Sequence, residues 1–250
     1  MAERRPHVRV RDLWPGAAAR DLPPGQRELD VFPHFSGPIL DDVSRFRAIA
    51  VRGSVTRPLD VSLDSLAGMR RQEIVADFHC VAGWTARGLR WGGVPFRALY
   101  EELVQPVAPE GISHLRFIGK DGWRSVLLLE DALRDDVLLA DHLDGEPLGA
   151  YHGGPIRLIS PSQYGYKSTK YLTTIELHTE EPSEGGHPNV AMDVVLRLVK
   201  AHPRARVDLE ERHRYLPPWA VGWVYSNVAR PLFAFIDGQQ LRRGGMRSDR

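Results

Sequence analysis

The sequence predicts an α+β fold. Segments rich in β-branched and aromatic residues recur from Phe46 to Leu177, and short helical patterns fall between them. No regular strand–helix–strand rhythm links these segments, which argues against a doubly wound parallel sheet. A chain of 250 residues is long enough to bury a substantial core.

Taken in order, residues 1–28 are rich in Arg, Pro, Ala and Gly, carry the turn signal Leu22-Pro23-Pro24-Gly25, and are expected to form an N-terminal arm. Phe46 to Val51 mixes aromatic and β-branched residues in strand fashion. Ser62 to Leu66 predicts a short helix, with Ser62 as its cap and Asp64 in the first turn, where the helix dipole favours an anion. Gln72 to His79 predicts a strand that ends at Cys80. Pro95 to Leu103 places Phe96, Leu99 and Leu103 on one helical face, with Pro95 suited to the first turn. Leu115–Ile118 and Ser125–Leu129 flank Lys120-Asp121-Gly122-Trp123 and predict a hairpin. Asp131 to Leu139 predicts a short helix, and Pro155–Ser160 and Tyr171–Leu177 predict two strands joined by a polar, aromatic loop. Residues 29–180 therefore form the expected main domain. Residues 181–250 read as a Glu-, Pro-, Ser- and Gly-rich linker, an amphipathic helix over Asn189–Lys200, and an aromatic extension from Tyr215 to Phe235.

Composition excludes several function classes. A formal net charge of +1 gives no electrostatic case for a nucleic-acid partner. One cysteine cannot close an internal disulfide. No apolar stretch follows the charged N-terminus as a signal peptide would require. The longest apolar run, Trp219 to Ile236, is broken by Ser226, Asn227, Arg230 and Pro231, so no transmembrane helix is expected. The expected location is the cytoplasm.

Chemistry concentrates in two places. The first is Asp77-Phe78-His79-Cys80-Val81-Ala82-Gly83-Trp84, followed by Trp91-Gly92-Gly93-Val94. A cysteine held between a strand end and a glycine-containing turn can point into a cleft, where its thiolate is a soft donor for a transition metal. The same residue alone also fits a small buried hydrophobe. Strand alternation sends His79 to the opposite face from Cys80. The second place is His152-Gly153-Gly154-Pro155-Ile156-Arg157, followed by Pro161 to Lys170. Small residues there allow close approach of a ligand to the backbone. Lys167 and Lys170, with the Ser168 and Thr169 hydroxyls between them, can meet a phosphate, and Arg157 adds a planar fork for an oxyanion.

Together, in this order and spacing, these segments resemble the molybdopterin-binding domain of the sulfite oxidase family, and most of all its short members. The resemblance runs from about Leu22 to Leu177 and rests on Leu22-Pro23-Pro24-Gly25-Gln26, Phe32-Pro33, Asp77 to Val81, Trp84, Trp91 to Val94, Asp121-Gly122, Gly145 to Leu148, His152 to Leu158 and Tyr164 to Lys170. It implies a mixed-sheet fold with short helices and a molybdenum–molybdopterin cofactor, with Cys80 as both metal ligand and catalytic residue. It also implies cofactor contacts from Pro33, His34, Gly119, His152, Arg157, Tyr164, Lys167, Ser168, Thr169 and Lys170. At Gly119, where the family often has a small hydroxylated residue, only the backbone could contribute.

The implied activity is oxygen-atom transfer or two-electron redox on a small sulfur-containing substrate, with a separate electron donor or acceptor. Substrate, direction and oligomeric state stay open. A cofactor-binding enzyme acting on another organic substrate is one alternative, and a metal-free binding module on the same scaffold is another.

Overall fold

The computed structural model describes residues 22–34, 39–40, 46–182 and 202–229. Eleven strands occur among them. They are β1 (Arg27–Leu29), β2 (Ala48–Gly53), β3 (Leu59–Ser62), β4 (Gln72–Cys80), β5 (Trp84–Pro95) and β6 (His114–Gly119), followed by β7 (Arg124–Leu128), β8 (Leu138–Leu143), β9 (Glu146–Pro147), β10 (Arg157–Ile159) and β11 (Leu172–His178). One sheet runs β1-β5-β8-β10, with β4 on β5 and β9 on β8; the other runs β3-β2-β11-β6-β7. Each sheet mixes one parallel pair (β1 with β5, β11 with β2) with antiparallel ones. The α+β expectation holds.

Local signals account for several elements. Ser62 caps α1 (Leu63–Ala67) by accepting the Ser65 N–H at 3.0 Å. β6 and β7 pair as the predicted hairpin, and the Gly122 N–H donates to the Gly119 carbonyl across its turn. In β4 burial alternates, so Ile74, Ala76, Phe78 and Cys80 face inward while His79 does not. The helix predicted from Pro95 forms as α2 (Phe96–Leu99) and continues as a π-helical turn over Tyr100–Val104.

The helix predicted over Asp131–Leu139 is a correction. Only α3 (Leu129–Ala132) is helical, and Leu138 to Leu143 is strand β8. Leu139 and Leu158 pack into one core with Val51, Phe117 and Ile175, whereas Leu138, Ala140 and Ile159 pack into another with Phe78, Trp84 and Trp91. A strand covered on both faces reads as an unbroken apolar run, which periodicity cannot tell from a buried helix.

The predicted helix Asn189–Lys200 lies outside the described residues. Residues 202–229 fold back onto the main body. Arg204 pairs with Asp131 and Glu130, and the Tyr166 hydroxyl donates to the His202 carbonyl at 3.0 Å. A further helix, α4 (Pro218–Val224), sets Gly222 against Pro24. Its outer side leaves Trp219 and Trp223 exposed. Among the described residues no helix is long and apolar enough to cross a membrane.

Candidate functional site

Cys80 ends β4 as a buried thiol. The chain reverses at once into β5 through a turn in which the Gly83 N–H donates to the Cys80 carbonyl at 3.0 Å. Gly83 has φ of +92°, a region that a side chain would make costly. The turn also carries the Ala82 N–H to 3.5 Å from Cys80 Sγ. Backbone geometry therefore fixes the direction of the sulfur.

Cys80 lines a solvent-open cleft of about 670 Å³ together with Phe32, Pro33, His34, His152, Arg157, Ser168 and Lys170. The predicted metal ligand and six of the ten predicted cofactor-contact residues thus share one cavity, although they come from four stretches of sequence. Phe78, Val81, Trp84, Trp123, Tyr151, Gly165 and Tyr166 complete its walls. Most of these are aromatic, and only their scatter along the chain kept them from being read as a set.

Arg157 is the cleft's fixed cation. It is 3% exposed and its guanidinium donates to the carbonyls of His152 at 2.8 Å and Ser168 at 3.1 Å. Its charge lies 5.4–5.9 Å from the ring centres of Trp91, Phe78 and Phe32. Burial lowers its pKa to about 10, so it stays charged at neutral pH. Burial, and then the nearby Arg157, bring the Lys170 ammonium down to about 8. Burial, followed by Arg157, lowers His152 to about 4, and its neutral ring stacks on Phe32 at 5.0 Å. His34 stands at the cleft's edge, with Nδ1 2.8 Å from the Tyr151 carbonyl.

Close approach of two backbones assembles this cation pair. Gly153 has φ of +86°, and a Cβ there would meet the Lys170 Cβ at 2.6 Å. Glycine thus lets the His152 turn lie directly against Lys170. Ser168 braces the same loop by accepting the Ser160 N–H at 3.1 Å.

Four predicted residues do not line the cleft. Lys167 is buried and donates from Nζ to the Val126 carbonyl at 2.5 Å, and Thr169 shares a 2.7 Å hydroxyl contact with Ser125. Tyr164 donates its hydroxyl to Glu210 at 2.9 Å. Gly119 lies against the Lys170 carbonyl, where a Cβ would come within 2.4 Å. These residues brace the loop from behind. The two lysines therefore do not act as a pair: the helical turn Gly165–Lys167 sends the first inward, and Lys170 alone reaches the cleft.

The donor set suits an anionic, metal-bearing ligand. No carboxylate lines the cleft among the described residues, while Arg157 and Lys170 raise each other's electrostatic cost. Arg157 Nε and His152 Nδ1 are buried without a hydrogen-bond partner, which is expensive unless a ligand supplies one. A soft sulfur donor opens into the same space.

Comparison with known proteins agrees. The family model for the oxidoreductase molybdopterin binding domain matches residues 34–186. The chain is similar to the uncharacterized oxidoreductase YuiH of Bacillus subtilis, at 33% identity over 163 residues that cover 64% of this chain and 80% of that protein. It is also similar to the protein-methionine-sulfoxide reductase catalytic subunit MsrP of Xanthomonas campestris, at 30% identity over 190 residues. That match covers 66% of this chain but spans only 56% of the MsrP sequence. Among solved structures, the sulfane dehydrogenase SoxCD of Paracoccus pantotrophus aligns with a TM-score of 0.50 and 22% identity, covering 57% of this chain and 40% of that one, which bears on the fold alone. With more than half its length matched by the family model, the chain belongs to the molybdopterin-binding oxidoreductases of the sulfite oxidase family.

Proposed function

We propose that this protein binds a molybdenum–pterin cofactor in the cleft and performs oxygen-atom transfer or two-electron redox on a small, uncharged sulfur compound. One observation carries this reading: the Cys80 thiol opens into the same cavity as the Arg157 and Lys170 cations. A metal needs the first, and a pterin phosphate needs the second. When bound, the cofactor supplies a two-electron couple that protein side chains lack.

The chain's own residues divide the remaining work. Cys80 offers one thiolate ligand from a rigid turn. Arg157, charged and held by two carbonyls, is preorganised for an oxyanion, and Lys170 and Ser168 add donors beside it. The buried His152 and Arg157 nitrogens that lack partners would be satisfied by a bound ligand. Phe32, Phe78 and Trp91 shield the Arg157 guanidinium from water, which strengthens its charge interactions.

Val81, Trp123 and Tyr166 pack together on the wall that continues from Cys80. An apolar, aromatic wall favours an organic sulfoxide or thioether over the sulfite dianion, whose charge it cannot match. Electrons would be exchanged with a separate protein or small carrier.

The test is direct. Protein from a host with active cofactor synthesis should contain about one molybdenum and one pterin per chain, as Cys80 is the sole thiol. It should turn over organic sulfoxides faster than sulfite. Absence of both metal and pterin would refute the reading; a preference for sulfite would refute the substrate assignment.

A further inference from the structure

Gln26 lies far from Cys80 in sequence yet is bonded to it. It is 7% exposed, and its Nε2 donates to the Cys80 carbonyl at 2.9 Å. Its Oε1 accepts the Thr85 hydroxyl at 3.2 Å, and Thr85 in turn meets His79 Nδ1 at 2.9 Å. The Cys80 carbonyl therefore takes two donors, Gln26 Nε2 and the Gly83 N–H. Two donors on one carbonyl fix the plane of the Cys80–Val81 peptide. The same turn continues through Val81 to the Ala82 N–H, which points at Sγ.

What holds Gln26 comes from the other end of the chain. Gln26 closes the turn begun at Pro23, its N–H donating to the Pro23 carbonyl at 3.0 Å. Arg212, wholly buried, donates from Nη2 to the Pro24 carbonyl at 2.5 Å. Its guanidinium lies 3.8 Å from the Tyr225 ring centre and 5.1 Å from that of Tyr164, and it pairs with Glu210. Gly25 packs so closely on the Tyr225 backbone that a Cβ would come within 2.7 Å of it. A buried arginine is expensive, and one spent on a turn carbonyl implies that the turn's position matters.

We propose that Gln26 is a positioning residue for the Cys80 sulfur, and that the segment around Arg212 acts on the same sulfur by holding the Gln26 turn. The consequence for a bound metal rests on the reading of Cys80 as its ligand; the effect on the thiol does not. Gln26 itself touches no reacting atom. It limits the directions in which Sγ can point, and a metal–sulfur bond is sensitive to that direction.

The experiment uses the full chain, with and without cofactor. Gln26→Met keeps the side chain's length and removes both hydrogen bonds. Three quantities are read: the thiolate-to-metal absorption band of the loaded protein, the rate of Cys80 alkylation by iodoacetamide at one fixed pH in cofactor-free protein, and the melting temperature. We expect the band to shift and weaken while pterin is retained. Alkylation should accelerate about fivefold, because opening the turn that buries Sγ no longer costs the hydrogen bond from Gln26 to the Cys80 carbonyl. A folded Gln26→Met whose band and alkylation rate equal those of the wild type would overturn the proposal. If that variant does not fold, Gln26→Glu applies the same criteria, since it keeps the acceptor for Thr85 but loses the donor to Cys80. Arg212→Lys should change both readings in the same direction, and no change would remove the C-terminal segment from the account. Cys80→Ser separates the two readings: a band that survives it refutes Cys80 as ligand, while the alkylation rates still decide the role of Gln26.

Discussion

Lys170 gives the sharpest test of the site, because the structure makes it costly to the empty protein. Burial brings its ammonium from 10.5 to about 8. At about 1.4 kcal/mol per pH unit, keeping it charged costs the folded chain up to roughly 3 kcal/mol at neutral pH. Water in the open cleft offsets part of this, so about 1–3 kcal/mol is the working range. The sign follows from linkage. The unfolded chain holds this proton up to about 10.5 and the folded one only to about 8, so the cost is present in full below pH 8 and disappears as pH rises towards 10.5.

Lys170→Met removes the charge and keeps the length of the stem. Cofactor-free Lys170→Met should therefore be more stable than cofactor-free wild type at pH 7, with its urea midpoint higher by about 0.3–1.5 M for a denaturant slope near 2–3 kcal/mol/M. The advantage should vanish near pH 10.5, and the variant should lose most of its pterin. Denaturation curves at the two pH values, with a pterin assay on the loaded protein, check all three points. A variant less stable at pH 7, or a gain that does not depend on pH, would refute the argument that this cation is held against its own solvation cost for a ligand.

Three further outcomes are expected. Cys80→Ser should abolish turnover and metal retention while the far-ultraviolet spectrum stays unchanged, because Ser supplies no soft donor; persistent turnover would count against the ligand role. Gly153→Ala should force the His152 turn away from Lys170, since its φ of +86° and the 2.6 Å approach leave no space for a Cβ. Cofactor occupancy at least tenfold lower is the expected reading, and unchanged occupancy would contradict it. Sulfate, whose charge does not change in this range, should bind cofactor-free protein with steady affinity up to about pH 7 and then weaken as Lys170 discharges, by up to tenfold per pH unit well above 8; calorimetric titration at several pH values would show a flat profile if Lys170 is not involved.

Local chemistry was legible in the sequence, and distant pairing was not. The strand ending at Cys80, the Ser62 cap and the β6–β7 hairpin each follow from a few adjacent residues. Strand β5 was harder to see: Gly88, Gly92 and Gly93 interrupt its pattern, and only pairing with β4 and β8 makes it one strand. The site showed the same division. His152, Arg157 and Lys170 stand in marked motifs and meet in the cleft. Lys167 stands in the same motif and points elsewhere, because one helical turn decides its direction. Nothing local distinguishes Arg212 from a surface arginine; its burial depends on Tyr164, Glu210 and Tyr225 arriving together.

The bond between Arg212 and Pro24 spans 188 residues, and so it also has a place in time. A ribosome adding about 5–20 residues per second makes the two partners some 10–40 s apart. During that interval the Cys80 turn exists without the support that Arg212 gives it through Pro24. The thiol's frame is thus completed only once residue 212 has been made and has folded back. A cell that loads a large cofactor into the cleft meets a more yielding vessel before Arg212 docks than after it.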